Sequence, residues 1–282
     1  MMRKRFTWKL RGGELALGDS TLIVGILSLA PESSGRGRTL DAERAYAAAL
    51  QLEQAGADII DLSAESFRPG SKRIEEAEEV HRLVPVLKLL RGKLAVPVAV
   101  STWKSGIAER ALELGAQIIN DPSGLTLDAQ LSRTVAQYDG GLVLTHMRGA
   151  PDEWQKLPPV ADPVTMILQE LSAAVNRARR AGLTMQQMVV DPGLGMGKRK
   201  DENMLLLARL GMLKGLDLPL MAGPSRKLFL GQATPEALDS ATAAAVTAAI
   251  LGGAHLVRVH DVEKIRPVTA VADAILRSSA AV

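Results

Sequence analysis

Eight apolar, β-rich runs recur along the chain, at about 22–27, 57–62, 96–101, 117–120, 141–145, 187–191, 218–222 and 255–259. Segments with helical spacing alternate with them, near about 40–54, 74–91, 104–114, 126–137, 162–181, 201–213, 234–252 and 262–278. The first of these sets the pattern: Ala42, Ala45, Ala49 and Leu52 share one face, and Gly56 follows the end. Strands that read as continuous apolar runs are buried on both faces, which calls for a parallel sheet covered by helices. Eight such units favour closure into an α/β fold of the (β/α)8 TIM-barrel type, with an open doubly wound sheet as the alternative.

A chain of 282 residues suits one barrel domain, and no Pro/Gly/Ser-rich linker divides it. Residues 1–20 form an extension with two short strand-like pieces around Gly12-Gly13, expected as a hairpin, and 21–282 form the barrel. Aromatic residues make up only 3%, so Leu, Val, Ile, Ala and Met must build the core. The absence of cysteine excludes disulfides, thiolate metal sites and cysteine nucleophiles. The charge of +3 is spread along the chain except for Arg3, Lys4, Arg5, Lys9 and Arg11. Phe6, Thr7 and Trp8 interrupt that cluster, which reads as a solvated N-terminus rather than a nucleic-acid arm. The longest apolar runs, such as Ala241–Ala254, fall short of the roughly 18–20 residues of a membrane span, and no secretory h-region follows Met1. The expectation is a soluble, cytoplasmic protein that binds neither membrane nor nucleic acid.

In a barrel of this kind the C-terminal strand ends share one face and build the site. Strand one ends at Ser28, followed by Pro31 and Gly35-Arg36-Gly37-Arg38; strand two ends in Asp61, then Ser63-Ala64-Glu65-Ser66-Phe67-Arg68-Pro69-Gly70. Ser101-Thr102-Trp103-Lys104, Asn120-Asp121-Pro122 and His146-Met147-Arg148-Gly149 follow strands three to five. The last three strands bring Asp191, Ser225-Arg226-Lys227 and Arg258-Val259-His260-Asp261.

Asp191 closes a β-branched run, where an acid is costly unless something pairs with it. The glycines behind it, Gly193, Gly195 and Gly197, match neither phosphate-loop fingerprint and read as clearance between strand and helix. A carboxylate at Asp191, an amide at Asn120 and an ammonium at Lys227 together suit a 2-amino-4-oxo-pyrimidine edge, as in a pterin or a guanine. Arg68, Arg258 and His260 make an anion site, to which backbone N–H groups near Ser225 can add. His146 reads as a core histidine.

Several runs, taken in order, carry a family resemblance. They are Ala55-Gly56-Ala57-Asp58-Ile59-Ile60-Asp61 with Glu65–Gly70, then Ile118–Gly124, His146–Gly149, Asp191-Pro192-Gly193, Ser225-Arg226-Lys227 and Arg258–Asp261. This set resembles the dihydropteroate synthases over roughly residues 22–278. The resemblance implies a (β/α)8 barrel, usually a homodimer. Its reaction joins 6-hydroxymethyl-7,8-dihydropterin diphosphate to 4-aminobenzoate, forming dihydropteroate for folate synthesis and releasing pyrophosphate. It places pterin contacts on Asn120, Asp191, Lys227 and Ser101, and diphosphate contacts on Arg68, Arg258 and His260. Ser225, Phe67 and Pro69 fall on the aminobenzoate side, and Mg2+ is the implied metal.

Three departures matter. Ser28, in Ser28-Leu29-Ala30-Pro31-Glu32-Ser33-Ser34, stands where the family has an asparagine that binds magnesium, and a hydroxyl is a weaker ligand. Ser101 stands where the family has an aspartate beside the developing cation, and Phe67 where it has threonine. Losing one transition-state charge contact commonly costs about 10²–10³ in rate. The alternative is therefore a pterin-binding homologue with weak or no synthase activity, or with a different second substrate. A folate-dependent methyltransferase relative is a third reading, opposed by the Arg258–His260 anion site.

Overall fold

The structure is a computed structural model that describes residues 3–31, 41–231 and 234–278. The stretch Gly35-Arg36-Gly37-Arg38 lies outside these residues. Strands β1 (Phe6–Leu10) and β2 (Gly13–Leu17) pair antiparallel, with Gly12 at positive φ in the turn. Eight parallel strands follow: β3 (Leu22–Ser28), β4 (Ile59–Ser63), β5 (Val98–Ser101), β6 (Ile118–Asp121), β7 (Gly141–Thr145), β8 (Met188–Asp191), β9 (Met221–Ala222) and β10 (Leu256–Val259). Their order is β8-β7-β6-β5-β4-β3-β10-β9, and a parallel bridge from Val190 to Leu220 closes the ring. The molecule is a (β/α)8 barrel with an N-terminal hairpin, the closed form that the alternation in the sequence favours over an open doubly wound sheet.

Helices α1 (Ala42–Gln54), α2 (Glu76–Leu90), α3 (Ser105–Glu113), α4 (Leu131–Gln137), α5 (Pro163–Arg180), α6 (Lys200–Ala208), α7 (Pro235–Leu251) and α8 (Val262–Ser278) surround the strands. Local chemistry sets their starts. Asp41, Asp162 and Thr234 accept backbone N–H bonds at the N-termini of α1, α5 and α7, and Pro163 and Pro235 sit where a missing N–H costs nothing. Three elements differ from the periodicity. The helix expected near 126–137 forms only as α4, from Leu131. The expected helix over 201–213 stops at Ala208 and continues as a 3-10 helix, Leu210–Leu216. The run at 218–222 yields only the two-residue β9, because Pro219 and Pro224 flank it and cannot donate to the ladder.

The strands are continuous in apolarity because both faces are buried. Outward residues such as Ile60, Val100, Ile119, Leu144, Val190 and Val257 join the helices in the main core. Inward, Val24, Ile59, Ala99, Ile118, Val143, Val189, Met221 and Leu256 fill the barrel, one from each strand. The hairpin belongs to that inner cluster through Trp8, Leu10 and Leu17. Trp8 is fully buried and donates its indole N–H to Gln187 O at 3.0 Å, so the hairpin plugs the N-terminal mouth of the barrel.

Candidate active site

Side chains alternate along a strand, so two residues beyond each apolar filler lies the next inward position. Those positions are Ile26, Asp61, Ser101, Asn120, Thr145, Asp191, Gly223 and Arg258. Apolar filling ends there, and polar groups begin on most strands at once. Another two residues on, Ser28, Ser63, Ser225 and His260 line an open cavity of about 710 Å³. The two inward sets therefore stack as the floor and wall of one site at the C-terminal mouth.

Asp61 is the hub of the floor. It is 1% exposed and accepts from Ser101 Oγ at 2.9 and 2.8 Å, from Asn120 Nδ2 at 3.2 Å and from Arg258 Nε at 2.6 Å. Asn120 also donates to Ser101 Oγ at 3.0 Å, and its carbonyl accepts from Thr145 Oγ1 at 3.0 Å. Parallel register sets Ser101 beside Asn120, and Thr145 beside Asp191, which brings these short side chains together.

Asp191 is buried and accepts from Gly193 N at 2.7 Å; burial raises its pKa against that bond and the nearby Lys227 and Arg258. Gly193 has φ of 65°, and a Cβ there would lie 1.8 Å from His146 O, so no other residue fits. Lys198 donates to three carbonyls, of Gly193, Met196 and His146, and fastens the glycine run to the strand-seven loop. Gly193 and Gly197 serve close packing against the backbone of His146 and Arg148, and Gly195 clears the Lys227 side chain; the run is not a phosphate cradle.

The sequence-predicted residues fall into two adjoining spaces. Ser101, Asn120, Asp191 and Lys227 bound an inner pocket of about 50 Å³, together with Thr145. Ser28, Arg68, Pro69, Ser225 and His260 line the outer cavity. Phe67, Gly223, Lys227 and Arg258 line both. Phe67 stands edge-on to Trp103, with ring centroids 5.6 Å apart, and packs against Met147, Trp154 and Met196. Its loop is tied to the loop after β7 by Gly70 N donating to Pro151 O at 2.8 Å.

Arg68, Arg226, Lys198, Lys200, Lys227 and Arg258 all reach the outer cavity. His260 is not a further cation. Burial and the surrounding Arg258, Arg226, Lys227 and Arg68 push its pKa down to about 3. Its Nδ1 lies 3.0 Å from Ser225 Oγ, which also accepts from the His260 N–H at 3.2 Å. Burial and Arg258 lower Lys227 to about 8. His146 is buried, bonds Glu170 at 2.9 Å and is held neutral, with its pKa near 4 from burial, as a core histidine should be.

Asp61 and Thr145 belong to the floor although the anion and pterin motifs do not single them out. Their inward parity, two residues past Ile59 and Val143, was the available signal. Asp121, next to Asn120, faces outward and anchors the following turn through Ser123 and Leu125. The residues described do not fit a magnesium site. Ser28 offers one neutral oxygen, and Glu65, the carboxylate lining the outer cavity, is engaged by Ile74 N at 3.2 Å and Lys104 Nζ at 3.4 Å. Among the described residues no acidic or histidine cluster could hold a metal.

The model of the pterin-binding enzyme family matches residues 24–260. Dihydropteroate synthase of Synechocystis is 37% identical over 265 residues, covering 92% of each chain. That of Bacillus subtilis is 34% identical over 266 residues, covering 93% of this chain and 91% of its own. Among solved structures, Yersinia pestis dihydropteroate synthase in a sulfonamide drug complex superposes with a TM-score of 0.89 at 30% identity, over 97% of this chain and 100% of that one. The Xanthomonas albilineans synthase with 4-aminobenzoic acid gives 0.86 at 33% identity, over 95% and 98%. The chain belongs to the pterin-binding enzymes, in the dihydropteroate synthase family.

Proposed function

We propose that this chain condenses 6-hydroxymethyl-7,8-dihydropterin diphosphate with 4-aminobenzoate to give dihydropteroate and pyrophosphate. The observation that carries the reading is the polar floor of Asp61, Ser101, Asn120 and Asp191 beneath a cation-lined cavity. The floor suits the amino-oxo edge of a pterin, with Asp191 as acceptor, Asn120 as mixed partner and Lys227 as donor. Arg68, Arg258 and the neutral His260 suit the diphosphate, two by charge and one by hydrogen bonding.

In the reaction the methylene C–O bond breaks and its electron pair leaves with pyrophosphate. The methylene carries the positive charge until the arylamine nitrogen forms the C–N bond and loses a proton to solvent. Carboxylates below the cation and cations around the leaving group lower that barrier electrostatically. Ser225, Pro69 and Phe67 are the groups on the aminobenzoate side. Magnesium, the family's metal, would enter with the diphosphate, since Ser28 offers a single neutral oxygen.

A homodimeric state is part of the same proposal. It is supported by the packed pair α7 and α8, which leaves Leu251, Val271 and Ile275 exposed. A cytoplasmic location rests on the family alone; no described helix is long and apolar enough to cross a membrane. The second reading, a pterin-binding homologue without synthase activity or with another second substrate, draws on the neutral Ser101 and Ser28. One assay separates the two. Purified protein is incubated with the pterin diphosphate and 4-aminobenzoate, with and without magnesium, and both products are measured. Pyrophosphate and dihydropteroate in equal amounts support the synthase; pterin binding with neither product sinks it.

A further inference from the structure

Arg258 occupies an unexpected place. Its backbone is on β10, yet its guanidinium crosses the mouth past β3 to Asp61 on β4, with Nε 2.6 Å from Asp61 Oδ2 and Nη2 3.3 Å from Ser101 Oγ. There it closes one side of the inner pocket, whose 50 Å³ has room for a few waters at about 10–15 Å³ each. A bicyclic heterocycle is larger than that volume, so a wall must give way for it to enter, and Arg258 is a long, flexible side chain in that wall. The same side chain also borders the outer cavity beside Arg68, Lys227 and His260, where an anion would sit. A long side chain between two such spaces can serve either.

We propose that Arg258 is exchanged between Asp61 and the diphosphate, so that pterin entry and anion binding are coupled through this one side chain. When the heterocycle takes the floor, the guanidinium moves outward to the anion. Asp61 is then left with Ser101 and Asn120 as neutral donors and turns a bare carboxylate toward the bound ring. Asp61 is thus the positioning residue for Arg258 before exchange. Afterwards it supplies the negative charge that Ser101, lacking a carboxylate, does not. The exchange rests on the pterin reading above and adds to it a direction of coupling.

Coupling of this kind is reciprocal and commonly amounts to about 5–150-fold in affinity. The test uses the full-length protein, 6-hydroxymethylpterin lacking the diphosphate, and inorganic pyrophosphate as separate probes, with affinities measured by calorimetry. Saturating pyrophosphate is expected to tighten pterin binding by about tenfold or more, and saturating pterin to tighten pyrophosphate equally. Arg258→Gln should bring the coupling close to one. It should also make bare pterin bind tighter than in the wild type, an outcome that loss of a merely structural residue would not give. The double variant Asp61→Asn with Arg258→Gln removes both charges together; it keeps the test available if the single variant leaves Asp61 unpaired and unfolds.

Equal pterin affinity with and without pyrophosphate in the wild type, or coupling that survives in the variants, overturns the exchange and leaves the pterin reading standing. Failure of the pterin to bind under either condition overturns both.

Discussion

Ser101 gives its hydroxyl to both oxygens of Asp61, at 2.9 and 2.8 Å, so the position without a carboxylate is in direct contact with a buried one. The contact also passes through Asn120 and Arg258, which share Asp61 Oδ2. Hydrogen bonds to charged groups are worth about 1.5–3 kcal/mol. Ser101→Ala is expected to lower unfolding free energy by about that amount in urea titration. Asp61→Ala should cost more, about 3 kcal/mol, because it strands the Arg258 guanidinium; that charge keeps some access to the cavity, so the cost stays at the low end for a broken buried pair. An Asp61→Ala protein as stable as the wild type would show that the pair holds nothing in place.

Phe67 borders both the inner pocket and the outer cavity and is braced by Trp103, Met147, Trp154 and Met196. A full Phe side chain is worth about 1.5–3 kcal/mol of burial, and Phe67 is only partly covered. Phe67→Ala should therefore destabilise the protein by about 1.5 kcal/mol. Its larger effect is expected on selectivity. With the wall removed, a 4-aminoaryl carboxylate bulkier than aminobenzoate should gain relative kcat/KM, and aminobenzoate itself should show a raised KM. Unchanged relative kcat/KM for the two amines would remove Phe67 from the second-substrate side.

Much of this was legible in the chain before any coordinates. Parallel strands buried on both faces must be apolar throughout, so Ile59-Ile60, Ile118-Ile119 and Val189-Val190 announce themselves, and the acid or amide that follows marks the strand end. Strand ends alone blur inward and outward positions. Asn120 and Asp121 are neighbours in sequence, but one joins the floor and the other pins a turn. Counting by two from the apolar fillers would have separated them and added Asp61 and Thr145. The reach of Arg258 is of another kind. Its direction depends on which partner a flexible side chain finds across three strands, and no local pattern encodes that. The neutrality of His260 is likewise collective, since cations from β10 and from two separate loops impose it.

His260 carries a pH prediction. Its folded pKa is pushed down to about 3 by burial and by neighbouring cations, below the ordinary value near 6.5. The unfolded chain therefore takes up a proton first as pH falls. The stability associated with neutral His260 is complete above about pH 6.5 and is lost progressively toward pH 3. Imidazole NMR signals of His260 should stay in the neutral position from pH 8 to pH 5. Any limb near pH 6.5 in the rate of product formation should persist in His260→Gln. A His260 signal that titrates near pH 6.5 would restore the imidazolium to the anion site.

Glu65 shifts in the opposite direction. It is buried under the loop that carries Phe67 and Arg68, and it shares the Lys104 ammonium with Glu79, whose oxygen lies 2.6 Å from Nζ against 3.4 Å for Glu65. Burial raises its pKa to about 7, with Lys104 opposing and Glu79 reinforcing. The unfolded carboxyl ionises near its ordinary value of 4.5, so the folded state holds the extra proton between there and about pH 7. Its contribution to stability is complete below pH 4.5 and declines as pH rises through 7. A gap of this size corresponds to about 3 kcal/mol. Glu65→Gln keeps an oxygen for Ile74 N and removes the titration. Relative to that variant, the wild type should lose up to about 3 kcal/mol of unfolding free energy between pH 4.5 and pH 8, measured by urea titration. Parallel stability curves for the two proteins across that range would show that Glu65 is ionised throughout and that Lys104 serves both carboxylates.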